Sequence, residues 1–174
     1  EAEIFERILA AGVHFVPDGD LFRKGDVETQ WPHGLAIHNG VKGEGNIGAL
    51  LTDMIHLATS DEIPRLQSAI MSHFLFEYVH PFYDGNGRTG RIINVLYLVK
   101  EGLLDIPVLY LSRHIVQHKA DYYRLLQTVR DDDTWEDWVL YMLQAVETTA
   151  RQTVTTVQAI EITDGQCRGR RNGL

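Results

Sequence analysis

The sequence contains one cysteine, no long apolar run and no excess of basic residues. The lone Cys167 cannot form a disulfide within the chain, which fits a reducing compartment, so we expect a cytoplasmic protein. No run of about 18 apolar residues is present, so no membrane span is predicted, and the N-terminus lacks the layout of a secretory signal. The formal charge of −8 argues against general nucleic-acid binding, which needs a basic face for the phosphates.

The chain is long enough for one folded domain. Its 174 residues are 44% hydrophobic, which is sufficient for a sizeable core. It begins at Glu1 rather than methionine, so we expect that a further segment precedes it. A small phosphorylated ligand remains compatible with the acidic composition, because a local basic cluster with a bound cation can outweigh a diffuse net charge.

The hydrophobic pattern predicts an all-α fold with one small β-hairpin. Two short strands are predicted at residues 21–23 and 27–29, around a turn. The polar residues 164–174 have no hydrophobic periodicity and are interpreted as a disordered tail or linker. The segment 88–99 is apolar on nearly all sides, which predicts a central position. The predicted helices are residues 4–9, a helix that begins at Asn46 with that residue as N-cap, about 63–79, 88–99, 112–118, 120–130 and 135 to about 162.

Residues 80–91 are the most specific stretch of the chain and read His-Pro-Phe-Tyr-Asp-Gly-Asn-Gly-Arg-Thr-Gly-Arg. Pro81 disfavours helical conformation at His80, so the preceding helix should end there. The glycines on either side of Asn86 lead directly into the next helix. Its first backbone N–H groups and the positive end of its dipole favour an anion. The sequence therefore predicts an anion site at this loop.

The charged side chains of the same stretch suit the chemistry of phosphates. Arg88 and Arg91 are three residues apart, so they share a face of the first helical turn and can reach two phosphates of one polyphosphate. Asp84 offers the single carboxylate with which Mg²⁺ can complete a shell of water and phosphate oxygens. His80 can deprotonate an incoming hydroxyl. Together these residues predict nucleotidyl or phosphoryl transfer.

These residues resemble the signature of Fic domains, His-Pro-Phe-x-Asp/Glu-Gly-Asn-Gly-Arg-x-x-Arg, at every specified position. The resemblance covers residues 4–160 and implies a Fic-like helical bundle with a β-hairpin flap. It implies one domain over residues 1–163, with the flap at about 20–34 and the polar tail outside the domain. Further similarity lies in short segments, which are residues 19–23, 109–112, 122–123 and 135–138.

The resemblance implies AMPylation, the transfer of AMP from ATP to a Ser, Thr or Tyr hydroxyl of a target protein with release of pyrophosphate. His80 would be the catalytic base, Asp84 the Mg²⁺ ligand and Phe82 a buried anchor of the loop. The residues implied to bind the phosphates are Gly85, Asn86 and Gly87 as an anion hole, with Arg88 and Arg91 as a clamp on the β and γ phosphates.

The resemblance also implies partners. A target protein would dock along the flap by strand addition, for which residues 23–31 are the matching segment. The sequence Trp31-Pro32-His33 differs from the proline-rich sequence expected there, and self-modification is a second expected outcome. Tyr122 or Tyr123 would line the adenine pocket, although both also fit as core aromatics of a helix.

Many Fic proteins carry an inhibitory helix with the pattern Ser/Thr-x-x-x-Glu-Gly/Asn, which this sequence does not contain. The inhibitory element is therefore expected upstream of Glu1 or in a separate antitoxin-like protein, unless regulation differs. Two groups of alternatives stay open.

The first alternative is an ATP-binding regulatory module with little turnover. The second is removal of AMP or transfer of another phosphate-containing group. Gly87 favours AMP transfer, since the kinase branch of the family commonly has lysine near this position. His114 and His118 are interpreted as surface or core histidines rather than metal ligands. His38 has no recognisable partner in the sequence.

Overall fold

The computed structural model describes residues 18–30 and 36–171, with side chains for residues 18–28 and 38–160. The predicted helix at 4–9 and the sequence Trp31-Pro32-His33 lie outside the described residues. The all-α class with a small hairpin is confirmed. The described elements, in chain order, are β1 (Glu28–Gln30), β2 (Ala36–Asn39), α1 (Glu44–Thr59), α2 (Arg65–Val79), α3 (Asn86–Lys100), α4 (Leu111–Gln117), α5 (Lys119–Asp132) and α6 (Trp135–Arg171).

The chain divides into two compact units, Glu1–Asp105 and Ile106–Leu174. The first contains the hairpin with α1, α2 and α3, and the second contains α4, α5 and α6. The predicted domain of residues 1–163 spans both units, and its action as one domain stays a prediction. In the described part of the chain, no helix has the length and hydropathy needed to cross a membrane.

The two strands form one antiparallel hairpin, but the predicted first strand at residues 21–23 is wrong. The backbone N–H groups of Leu21 and Phe22 donate to Oε1 of Glu44, at 2.8 and 3.0 Å. A strand uses such donors for its ladder, and here the start of α1 takes them instead. The hairpin therefore forms later in the chain, with Glu28 opposite Asn39 and Thr29 opposite His38.

The helix ends confirm one prediction and correct another. The helix α2 ends at Val79, and His80 follows it in the left-handed region with φ 52° and ψ 60°. The N-cap of α1 is Gly43 rather than the predicted Asn46, because glycine readily adopts the φ of 80° found there. Nδ2 of Asn46 donates instead to the carbonyl of Lys42 at 3.0 Å, just before the helix.

The apolar core of the first unit lies between α1, the end of α2 and the loop that follows α2. Phe82 is buried in this core, as expected for an anchor. Its ring centroid lies 6.1 Å from that of Phe22 and 6.5 Å from that of Phe76. The buried residues of the cluster are Ile47, Leu51, Met54, Phe76, Val79 and Phe82.

The helix α3 buries a polar and glycine-containing stripe, so the predicted central position of segment 88–99 is wrong. Ile92 and Leu96 are exposed, by 39% and 50%. At Gly90, an added Cβ would lie 2.8 Å from Oε1 of Glu77 and 3.3 Å from Nδ1 of His73. The small residue therefore allows α2 to approach closely. The buried residues of α3 are Asn86, Gly90, Asn94 and Leu98.

His73 at this helix contact predicts a dependence of stability on pH. Burial and the charge of Arg91 lower the pKa of His73 from 6.5 to about 4, although a hydrogen bond with the backbone of Gly90 opposes this. The unfolded chain therefore takes up the proton first as the pH falls. The contribution of His73 is complete above the unfolded pKa of 6.5 and is lost towards pH 4. The loss amounts to about 3 kcal/mol.

The measurement is urea unfolding of wild type, His73→Gln and the exposed control His56→Gln between pH 7.5 and pH 4.5. We expect the stability advantage of wild type over His73→Gln to shrink as the pH falls, because the variant has no imidazole to protonate. The advantage over His56→Gln should stay nearly constant. A pH-independent difference between wild type and His73→Gln would contradict the prediction.

The last helix is longer than predicted. The helix α6 continues to Arg171, so residues 164–171 are helical rather than disordered, whereas their role as a tail or linker outside the domain stays a prediction. Extending an existing helix fixes one residue for each hydrogen bond gained, which is much easier than nucleating a new one. Arginine, which recurs in this segment, also favours helix formation.

Candidate active site

The predicted loop of residues 80–91 joins α2 to α3, and the side chain of Asn86 closes it. Oδ1 of Asn86 accepts a hydrogen bond from the Phe82 backbone N–H at 2.9 Å. Nδ2 of Asn86 donates to the Phe82 carbonyl at 2.7 Å. Since Asn86 is only 2% exposed, both bonds are shielded from water. The predicted anion-hole residue thus holds the backbone of the loop through its side chain.

The first turn of α3 has the features of an anion site. Gly85 is the N-cap of α3 and has a φ of 80°. The N–H of Thr89 donates to the Gly85 carbonyl at 2.9 Å, which is the first hydrogen bond of the helix. The N–H groups of Asn86, Gly87 and Arg88 begin the helix without an intrahelical acceptor. The first turn contains no acidic residue. These donors and the helix dipole favour a phosphate.

The two arginines lie at the same end of α3. Nη2 of Arg88 is 3.3 Å from Oδ2 of Asp84, in an ion pair between exposed side chains. Nη1 of Arg91 lies 3.1 Å from the position that a Cβ on Gly87 would occupy, and Oε1 of Glu77 lies 3.7 Å from that position. Glycine at 87 therefore leaves room for the Arg91 guanidinium over the start of the helix.

Asp84 fits a magnesium ion shared with phosphates rather than an all-protein metal centre. Its carboxylate is exposed and belongs to the loop that precedes the anion site. Among residues 18–30 and 36–171, no group of three or more His, Cys, Asp or Glu side chains is placed to hold a metal. Mg²⁺ commonly binds to one or two carboxylates and completes its octahedron with water and substrate phosphates.

His80 lies at the exit of α2 with its ring half-buried. Nδ1 is 3.4 Å from the Glu77 carbonyl. In the tautomer that donates this bond, the lone pair is on Nε2, which can then accept a proton from a substrate. The side chain is thus oriented through its backbone partner, as a general base requires.

A second imidazole, which the sequence analysis did not predict, lies beside His80. The ring of His38, on β2, lies 6.5 Å from that of His80 in an edge-on arrangement. Nε2 of His38 is 2.6 Å from the carbonyl of Tyr78, and the ring centroids of His38 and Tyr78 are 5.3 Å apart. This proximity depends on the hairpin returning to the end of α2, and no local sequence pattern marks it.

Tyr122 and Tyr123 lie in the second unit, on α5. Tyr122 is 3% exposed and its ring is 5.4 Å from that of Trp138, so it is a core aromatic. Tyr123 packs edge-on against Tyr122, and Nζ of Lys119 lies 5.6 Å from the Tyr123 ring centroid. The proposed role of either tyrosine in an adenine pocket stays a prediction.

The predicted site residues fall into two groups. The first group lies on the loop after α2 or in the first turns of α3, and consists of His80, Asp84, Gly85, Asn86, Gly87, Arg88 and Arg91. The two tyrosines belong to the other compact unit. His114 and His118 are also in the second unit, with ring centroids 4.2 Å apart.

Comparison with known proteins points to one family. The model of the Fic/DOC family matches residues 3–98. A protein of Aquifex aeolicus named "Probable protein adenylyltransferase aq_aa38" is 46% identical over 50 residues, which are 29% of this chain and 16% of that protein. The protein adenylyltransferase Fic of Nematostella vectensis is 34% identical over 68 residues, which are 39% of this chain and 14% of that protein.

A solved structure gives the same result for the fold. A Fic family protein from Desulfovibrio desulfuricans G20 superposes with a TM-score of 0.70 at 29% sequence identity. The superposition covers 82% of this chain and 43% of that protein. The chain therefore spans less than half the length of this structure, and about one sixth and one seventh of the lengths of the two curated relatives.

Proposed function

Because the chain belongs to the Fic/DOC family, we propose that it is a protein adenylyltransferase, which transfers AMP from ATP to a hydroxyl group of a target protein. The observation that carries this proposal is the placement of His80 at one end of a short loop whose other end is the first turn of α3. Arg88, Arg91 and Asp84 lie at that turn, so the proposed base, phosphate ligands and metal ligand share one loop and helix start.

The reaction can be written from these residues. Nε2 of His80 accepts the proton of a Ser, Thr or Tyr hydroxyl, and the hydroxyl oxygen forms a bond to the α phosphorus of ATP. The bond from the α phosphorus to the bridging oxygen of the β phosphate breaks, and pyrophosphate leaves. Arg88 and Arg91 hold the β and γ phosphates, where charge develops.

The first turn of α3 and Asp84 complete the proposed nucleotide site. The N–H groups of Asn86, Gly87 and Arg88 would donate to phosphate oxygens. Asp84 would hold Mg²⁺, which neutralises phosphate charge when bound. The exposure of the Asp84 carboxylate supports this assignment, because the ion must also reach water and the nucleotide.

The target would dock at the hairpin. Since β1 and β2 form a two-stranded sheet in the described residues, each has a second edge along which an extended peptide can pair. The ring of His38 on β2 lies 6.5 Å from that of His80, so this part of the hairpin is close to the base. A peptide added here would present its side chains near His80.

The decisive experiment uses ATP labelled at either the α or the γ phosphate, with Mg²⁺ and the purified chain. The chain itself and the proteins of a cell extract serve as acceptors. AMP transfer predicts label on protein from the α position and none from the γ position. Label from the γ position would show phosphate transfer instead. ATP binding without label from either position would favour the regulatory module.

A further inference from the structure

Arg23 is a fully buried arginine of the first unit. Its guanidinium has a lowered pKa, chiefly because burial removes it from water. Burying a guanidinium costs several kcal/mol unless hydrogen bonds replace its hydration. The guanidinium therefore requires specific hydrogen-bond acceptors in this position, and the identity of those acceptors indicates the role of Arg23.

Backbone carbonyls are the acceptors of this guanidinium. Nε donates to the carbonyl of His80 at 2.8 Å, and Nη2 lies 3.4 Å from the carbonyl of Val79. Nη1 donates to the carbonyl of Gly25 at 2.7 Å, and Nη2 to that of Val41 at 2.8 Å. The first two carbonyls end α2, whereas Gly25 precedes β1 and Val41 follows β2. One side chain thus joins the segments that enter and leave the hairpin to the end of α2.

Backbone hydrogen bonds reinforce this junction. The N–H of Arg23 donates to the carbonyl of Pro81 at 3.2 Å, and the N–H of Val41 donates to that of Val79 at 3.1 Å. His80 lies between these points in the left-handed region, which costs about 1–2 kcal/mol for a residue with a side chain. Such a conformation persists only where neighbouring groups fix it.

We propose that Arg23 is a positioning residue for His80, and that it transmits the position of the target-docking hairpin to the catalytic base. The guanidinium fixes the direction of the His80 carbonyl, and with it the backbone from which the imidazole projects. The same guanidinium binds the hairpin at Gly25 and Val41. This inference rests on the proposed function, because it assigns to His80 the role of base.

The test compares wild type with Arg23→Lys, and uses Arg65→Lys as a matched control. Lysine keeps the charge but cannot bind four carbonyls in the planar geometry of a guanidinium. Arg65 is an exposed arginine of the same unit, so the control makes the same chemical change outside the junction. We expect kcat for AMP transfer to fall about 10- to 100-fold in Arg23→Lys, since small misplacements of catalytic groups have effects of this size.

The dissociation constant for ATP should stay within about twofold, because Asn86 and the start of α3 hold the phosphate site separately. The Arg65→Lys control should match wild type in both quantities. Equal loss of kcat and ATP affinity, or unchanged kcat, would overturn the proposal.

A second measurement does not depend on activity. Backbone NMR of His80 in wild type should show the coupling constant and carbon shifts of positive φ, and in Arg23→Lys these signals should move or split. The signals of Phe82 and Asn86 should not move. If wild type transfers no AMP, the proposed function fails, whereas unchanged His80 signals in the variant would refute the positioning role itself.

If Arg23→Lys does not fold, Gly40→Ala perturbs the same junction. A Cβ at residue 40 would overlap Nη2 of Arg23, and would lie 2.7 Å from Cγ1 of Val27 and 3.1 Å from the Cβ of His80. This change displaces the guanidinium, and also presses on Val27 and His80, without altering any charge. We expect the same pattern, a lower kcat with unchanged ATP affinity and altered His80 signals. A folded Gly40→Ala with the kcat of wild type would refute the proposal.

Discussion

If the proposed function is correct, replacing His80 with alanine is expected to lower the rate of AMP transfer by about 10³-fold, the middle of the range for loss of a general base. The variant retains the start of α3, Arg88 and Arg91, so ATP should bind with nearly unchanged affinity. The measurement is transfer of label from the α phosphate of ATP to protein, together with calorimetric titration of ATP. The loss should fall on kcat, because a group that acts only on the proton in flight contributes little to ground-state binding.

The matched control is His56→Ala, which removes an exposed imidazole from α1 in the same unit. It should transfer AMP at the wild-type rate. If His80→Ala kept more than about a tenth of the wild-type kcat, the assignment of the base would be wrong, because a loss of that size is smaller than the usual effect of removing a general base. If it lost ATP affinity as well, His80 would be part of the binding site rather than the base.

The second large effect is expected from Asn86→Ala, which should lower the free energy of unfolding by about 2–4 kcal/mol. The substitution leaves the N–H and the carbonyl of Phe82 buried without their partner. Each unpaired buried group costs about 1–3 kcal/mol. Urea denaturation at pH 7.5 measures the change. The proposed AMP transfer should fall too, because the loop between His80 and the start of α3 loses its internal support.

Asn94→Ala is the matched control for this prediction. Asn94 is a buried asparagine two turns further along the same face of α3, at 4% exposure. Its Oδ1 accepts no hydrogen bond from the described residues. Removing its side chain should therefore cost less than half as much as Asn86→Ala. Equal costs would show that burial, and not the pairing with Phe82, explains the effect of residue 86.

The parts of the site that the sequence predicted are those that depend on local chemistry. Pro81 ended α2 where its steric effect requires, and the glycines on either side of Asn86 lead directly into α3. Phe82 was buried as an anchor. These properties follow from residues within a few positions of one another, so a single stretch of sequence contains enough information.

The parts that it missed depend on contacts far along the chain. Glu44 takes the donors of residues 21 and 22, and this pairing across more than 20 residues moved the hairpin. His38 reaches the neighbourhood of His80 only because β2 returns to α2. The buried face of α3 was misjudged because Gly90 lets polar groups of α2 occupy the contact, which apolar periodicity does not reveal.

The hydrogen bonds of Arg23 have a consequence for the order of events during folding. The two that reach the end of α2 join residues 56 and 57 positions apart, whereas the helices of the site form from contacts only four positions apart. Closing a long loop costs conformational entropy before any contact is gained, so distant contacts form slowly. A refolding chain should thus recover most of its helical circular dichroism before it recovers catalytic competence. During synthesis, the residues around Arg23 emerge well before their partners and must wait for them.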